Sequence, residues 1–189
     1  MKRISLLMLF FTGFFIVSCA SNNGIEKTVE GDFVVSYDSI KDVTYYTHKA
    51  LEIKCNSEFQ NLRNIFLGEN ENISVYIADT SILLKMSYYN TDWIFTESFI
   101  FLDDKNNRLV IDYGKRTADE VITANRVFER YVAELSEIDF SKIREMAQHT
   151  KLYCVFSGSK GRTVKLEIKD AQNSAIIKTF EKYDTIIKQ

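Results

Sequence analysis

The chain has no proline, only seven glycines, two histidines and one tryptophan in 189 residues. No stretch is rich in proline or in glycine and serine, so no linker divides the chain, and no internal repeat is evident. The length suits a single domain with a substantial core. His48 and His149, with Cys19, Cys55 and Cys154, are too few to build a metal site of nitrogen and sulfur ligands. Phosphate-cradling glycine loops, paired C-x-x-C, H-x-x-x-H and G-x-S-x-G are all absent. No cofactor is implied. An excess of positive charge is missing too. The formal net charge is −2, which leaves no electrostatic footprint for nucleic acid or for anionic lipid. Hydrophobic residues at 46% and aromatic residues at 13% are enough to exclude a disordered chain.

What is present begins with a leader. Lys2-Arg3 is a positive start, and Ile4 to Val17 is an apolar run too short to span a bilayer comfortably. It ends at Ile16-Val17-Ser18-Cys19. This tetrad resembles the lipobox of bacterial lipoproteins. The resemblance implies cleavage before Cys19, diacylglycerol on its thiol, and an acyl chain such as palmitate on the new amino terminus. An uncleaved signal anchor or a secretory leader cut elsewhere is the alternative. Each buried CH₂ adds roughly 0.8 kcal/mol of membrane affinity, so two or three chains hold a protein firmly. The expected partner is therefore the membrane, reached through the N-terminal lipid, with residues 1–18 as signal peptide. Ala20 follows the cysteine, which by the same resemblance favours the outer membrane if the host has one. Residues 19–32 read as lipidated terminus and polar tether, and 33–189 as the domain. Without Lys2 and Arg3, 22 of the 24 basic residues face 26 acidic ones, a net of −4.

The domain reads as α+β, an antiparallel sheet covered by helices. Strands are expected at Phe33–Tyr37, Val43–His48 (with Leu51–Cys55 as an extension) and Ile73–Ala78. A central meander follows over about 82–113, with Asn90-Thr91 closing its first hairpin and residues 103–107 its second. In that register one face holds Ile82, Leu84, Met86, Tyr88, Trp93, Phe95, Phe99 and Phe101. Thr117-x-x-Glu120 resembles a capping box, and the spacing from Val121 to Leu135 predicts a helix over 117–136. Shorter helices are expected at 141–148 and, after Asp170, at 171–188. Lys151–Phe156 and Thr163–Lys169 should form a hairpin around Gly158 and Gly161.

Candidate functional residues are few. Glu97 falls on the apolar face of the meander, where a buried carboxylate would be a general acid. With Asp92 or Asp103 it nominates an envelope hydrolase as a rival reading. The plainer reading is that Glu97 reaches solvent or pairs with a cation. Asp103, Asp104, Asn106 and Asn107 lack the spacing of a calcium loop and read as a polar turn. His48 reads as a surface or edge residue, His149 as a favourable charge near a helix end. Cys55 and Cys154 are either an exported disulfide or two buried thiols. Tyr45, Tyr46, Tyr88, Tyr89 and Trp93 are mostly core, with a few rimming a patch for a glycan or protein partner.

The residues Tyr45-Tyr46, Asp92-Trp93-Ile94-Phe95, Asp103-Asp104 and Phe156-Ser157-Gly158 resemble marks of a loosely defined group of bacterial and phage-associated α+β domains. The similarity spans about 33–183. It departs at the acidic turn, where Asp104 stands in place of a glycine, and at the late hairpin, shifted by Ser159-Lys160. The resemblance implies a fold and an extracytoplasmic setting, and no reaction. The leading expectation is a lipid-anchored cell-envelope protein acting as a binding module, more a binder than an enzyme. A structural or inhibitory module presenting a sheet edge is the third reading.

Overall fold

The computed structural model describes residues 24–52, 71–112, 115–123, 126–148 and 151–188. It is an α+β domain of two antiparallel sheets with helices packed on them. Eleven strands are described. Ile25–Glu30 (β1), Phe33–Asp38 (β2), Val43–His48 (β3), Glu71–Ala78 (β4) and Ser81–Asn90 (β5) come first. Thr96–Asp103 (β6), Arg108–Asp112 (β7), Lys115–Thr123 (β8) and Arg126–Glu134 (β9) follow. Helix α1 (Glu137–Ala147) precedes Leu152–Gly158 (β10) and Thr163–Ile168 (β11), and α2 (Asp170–Ile187) closes the chain. The larger sheet runs β1-β2-β3-β4-β5-β9-β8 and the smaller β11-β10-β6-β7.

The turns follow from residues that tolerate left-handed backbone. Gly31 (φ 57°) opens the two-residue loop between β1 and β2, where Glu30 pairs with Phe33. Asp79 (φ 49°) turns β4 into β5, and its side chain accepts the Thr44 N–H at 2.8 Å, pinning the turn to β3. Asp103 closes the β6–β7 turn by accepting from the Lys105 and Asn107 N–H groups, with Asn106 at φ 63°. This second hairpin has the expected register: Phe99 lies opposite Ile111 and Phe101 opposite Leu109, all four buried.

The first expected hairpin does not exist. Strand β5 pairs with β4 and β9, while β6 pairs with β7 and β10, so the chain crosses from one sheet to the other between Asn90 and Thr96. The burial pattern of Ile82, Leu84, Met86 and Tyr88 holds, but against a different neighbour. Phe95, expected in the core, is 46% exposed, and Ile94 is buried instead. The parity flips because Phe95 adopts φ 52°, left-handed backbone that a bulky side chain rarely takes. It flips back at a bulge: Ser157 pairs with Ser98 but Gly158 pairs with Thr96, leaving Glu97 without a partner across the ladder.

The crossover is held by a buried carboxylate. Glu129 is fully buried on β9, facing inward beside Tyr131. Its carboxylate accepts the Ile94 N–H at 2.6 Å, the Phe95 N–H at 3.1 and 3.2 Å, and the Tyr131 hydroxyl. The Thr96 N–H donates to the Tyr131 oxygen at 3.0 Å. Three consecutive backbone donors that leave one sheet before joining the next are thus satisfied from the larger sheet. On the other side, Ser159 N–H donates to the Phe95 carbonyl and the Arg162 guanidinium to the Trp93 carbonyl.

The helix expected over 117–136 is a pair of antiparallel strands, β8 and β9. On β9 the inward residues Val127, Glu129, Tyr131 and Ala133 alternate with outward ones. Helix α1 starts earlier than expected, because Ser136 caps it and forms a capping box with Asp139. Helix α2 begins with Asp170 itself, and Gln172 accepts the Lys169 N–H. The assumed tether contributes β1, so the domain starts by Ile25. Leu51 belongs to a short 3-10 turn over Lys49–Leu51.

The core lies between the inner faces of the two sheets and under both helices. Phe99 meets Tyr131 and Phe156 edge-on at 5.9 and 5.8 Å, joining the sheets. Phe140 of α1 packs on Phe180 and Tyr183 of α2 at 5.6 and 5.5 Å. Each such buried aromatic contributes about 1.5–3 kcal/mol by burial.

Two variants test the crossover. Glu129→Ala strands buried N–H groups and should lower unfolding free energy by about 3–5 kcal/mol, measured in urea. Glu129→Gln keeps one acceptor oxygen and should lose less. Gly158→Ala places a Cβ about 2.1 Å from the Ile94 carbonyl oxygen, so it should destabilise by several kcal/mol although Gly158 has ordinary negative φ.

Candidate functional site

The outer face of the larger sheet carries a concavity of about 350 Å³. Strand alternation builds it. The row Lys27, Ser36, Tyr45 crosses β1 to β3, and Val34, Thr47, Tyr76 crosses β2 to β4. Ile25, Ser74, Lys85 and Glu52 complete the lining. Tyr45 and Tyr76 meet at 6.2 Å with their rings inclined at 46°. Burial, helped by the neighbouring Tyr45, pushes the Tyr76 hydroxyl up to about 12, so it stays a proton donor at any physiological pH. Among the described residues, no hydrogen bond uses the hydroxyls of Tyr45, Tyr76, Thr47, Ser36 or Ser74.

The expected catalytic carboxylates are not brought together. Glu97 leaves the apolar face at the bulge and is exposed, as its plainer reading expects. Asp103 sits six residues along the same strand, about 20 Å away, and its oxygens are committed to the turn. Asp92 is exposed in the crossover, where its carbonyl accepts the Tyr88 hydroxyl. Among the described residues, no three His, Cys, Asp or Glu side chains are grouped to hold a metal ion.

The other sequence candidates find structural places. Tyr46 lies under the Lys182 ammonium at 5.3 Å. Tyr88 is core. Trp93 is half-buried and stacks on Phe95 at 5.5 Å. Cys154 is a free, fully buried thiol, and burial pushes its pKa far up, so it is inert. Its expected partner Cys55 lies outside the described residues, as do Cys19 and His149; the side chain of Tyr89 is likewise outside them. Gly158 lies against Ile94, so that a Cβ there would strike it, and the Ser159 N–H donates to the Phe95 carbonyl.

His48 is buried, contrary to the surface position expected for it. Phe33 lies opposite it and meets its ring edge-on at 5.3 Å. Its Nδ1 accepts the Ala50 N–H and caps the 3-10 turn, while Nε2 has no hydrogen-bond partner and lies 3.9 Å from Asp32. Lys178 of α2 pairs with Asp32 at 2.7 Å, and this hydrogen bond holds the Asp32 carboxyl below its usual range. Lys182 pairs with Glu30. Helix α2 therefore clamps the turn that joins β1 to β2, two strands that contribute to the lining.

Comparison with protein-family models, with curated proteins and with solved structures finds no match for this chain.

Burial holds the pKa of His48 below its ordinary 6.5, with nearby Lys178 and Lys49 acting the same way and Asp32 opposing them. The unfolded chain then binds more protons, so the contribution is fully present above 6.5 and is lost as pH falls through the lower folded value. Protonation would also turn Nδ1 into a donor facing the Ala50 N–H. Denaturation midpoints should therefore fall between about pH 7 and about pH 5. His48→Asn, which can still cap, should flatten that part of the profile. The contribution of Asp32 does not interfere, because it is lost only as pH falls toward and below 3.8.

Proposed function

We propose that this protein is a lipid-anchored component of the bacterial cell envelope that binds a ligand on the concave outer face of its larger sheet. The attachment rests on Ile16-Val17-Ser18-Cys19 behind a positive, apolar leader. No helix among the described residues is long and apolar enough to cross a membrane. The observation that carries the binding reading is the set of hydroxyls around Tyr45 and Tyr76 that use no hydrogen bond among the described residues. A face meant only to be wetted does not need inclined aromatic rings in a hollow. Small-molecule sites typically combine such walls with a few placed polar groups in a volume of roughly 300–1,000 Å³.

The two halves of the reading fit each other in distance. Ile25 lines the concavity and stands six residues after Cys19. Six residues reach at most about 20 Å, so the site would face ligands presented close to the membrane surface. A hydrolase reading lacks this kind of support, since its carboxylates stand apart.

Metabolic labelling with palmitate tests the anchor. The wild-type chain should take up label and mature by loss of 18 residues, while Cys19→Ala should remain unlabelled and keep its leader. Label on Cys19→Ala, or maturation at another bond, would contradict the anchor.

A further inference from the structure

The geometry points to a saccharide as the ligand class of the concave site; this rests on the binding reading above and narrows it. Three properties of the lining select that chemistry. First, Tyr45 and Tyr76 present inclined ring faces on adjacent strands. Sugar rings carry C–H groups on one face and pack against aromatic walls of this kind, whereas a hydrophobic ligand would want an apolar floor. Second, the floor is hydroxylic. Ser36, Thr47 and Ser74 alternate with the aromatic positions, and each hydroxyl can donate and accept. A ligand rich in hydroxyls matches such a floor group for group; a carboxylate or phosphate, which only accepts, would leave half of that capacity unused. Third, the charges are of both signs. Lys27 and Lys85 line the hollow with Glu52, so neither a strongly anionic nor a cationic ligand finds a site of uniform sign.

The depth of Tyr76 supports the same conclusion. Its hydroxyl is kept protonated across physiological pH and has no partner among the described residues, so it offers a permanent donor to a ring or glycosidic oxygen. This hydroxyl reaches the solvent of the hollow, where a ligand oxygen can take the place of water. Sugars are read elsewhere by this combination of stacking and neutral hydrogen bonds, and the mixed lining here supplies both in one hollow of about 350 Å³.

The test uses the detergent-solubilised full-length protein with labelled tyrosine rings. Titration with an oligosaccharide panel, including maltotriose and chitotriose, should shift the ring signals of Tyr45 and Tyr76 with at least one member. Tyr76→Phe should weaken that binding about tenfold, the loss of one well-placed hydrogen bond. Tyr45→Ala should reduce it further, and Thr47→Val should reduce it without touching an aromatic wall. Unchanged melting temperatures confirm that these variants fold. If no saccharide shifts either ring, but peptides released from envelope preparations do, the saccharide inference is overturned and the binding reading stands. If neither kind of probe shifts them, both fail.

Discussion

The fold depends on one buried carboxylate. A chain that leaves the larger sheet at Asn90 and enters the smaller one at Thr96 brings the backbone of Ile94, Phe95 and Thr96 against the buried Glu129 and Tyr131. Its backbone N–H groups there cannot join either ladder, and unpaired they would each cost about 1–3 kcal/mol. Glu129 and the Tyr131 hydroxyl, one strand turn apart on β9, take all three. The consequences spread outward. Phe95 is forced into left-handed backbone, its side chain emerges to stack on Trp93, Glu97 is pushed out at a bulge, and position 158 has no room for a side chain. Several of the least regular features of the structure follow from this single arrangement, and the carboxylate's own burial is offset by the donors it receives.

How much of this was legible in the sequence follows from which signals are local. The alternation in β6, β7, β10 and β11 was plain, and so was the five-residue turn built on Asp103. The amphipathic α2 was equally clear. These elements hide apolar side chains on one face and need nothing distant to explain them. The larger errors come from Glu129. At an inward position it breaks the apolar alternation of β9, and the residues around it then fit a helical period, although Val121, Ile122, Thr123, Val127, Phe128, Tyr131 and Val132 are strand formers. Reading β5 and β6 as a hairpin failed for a related reason. Asn90-Thr91 is acceptable turn chemistry, but the side chains of both strands are as well buried in separate sheets as in one. Partner choice lives in the long-range packing of Phe99 on Tyr131, which no window of sequence contains.

The candidate site was partly visible. Tyr45 is one of five aromatics read as mostly core with a few at a rim, while Tyr76 enters only as part of the strand expected at Ile73–Ala78. What joins them is the register of β3 with β4, a short ladder in which Thr47 faces Tyr76. The same region carries the clamp of Lys178 and Lys182 on Asp32 and Glu30, so α2 steadies the strands nearest the proposed lipid. A binding surface built from sheet rows, and stiffened from behind by a helix, needs little rearrangement on ligand entry.

Native-state amide exchange at Ile94, Phe95 and Thr96 tests the central constraint most directly. If Glu129 and Tyr131 hold the crossover as part of the core, these three amides should exchange only through global unfolding, as slowly as Leu84 and Tyr131. Fast exchange at the three, with Leu84 and Tyr131 still protected, would contradict it.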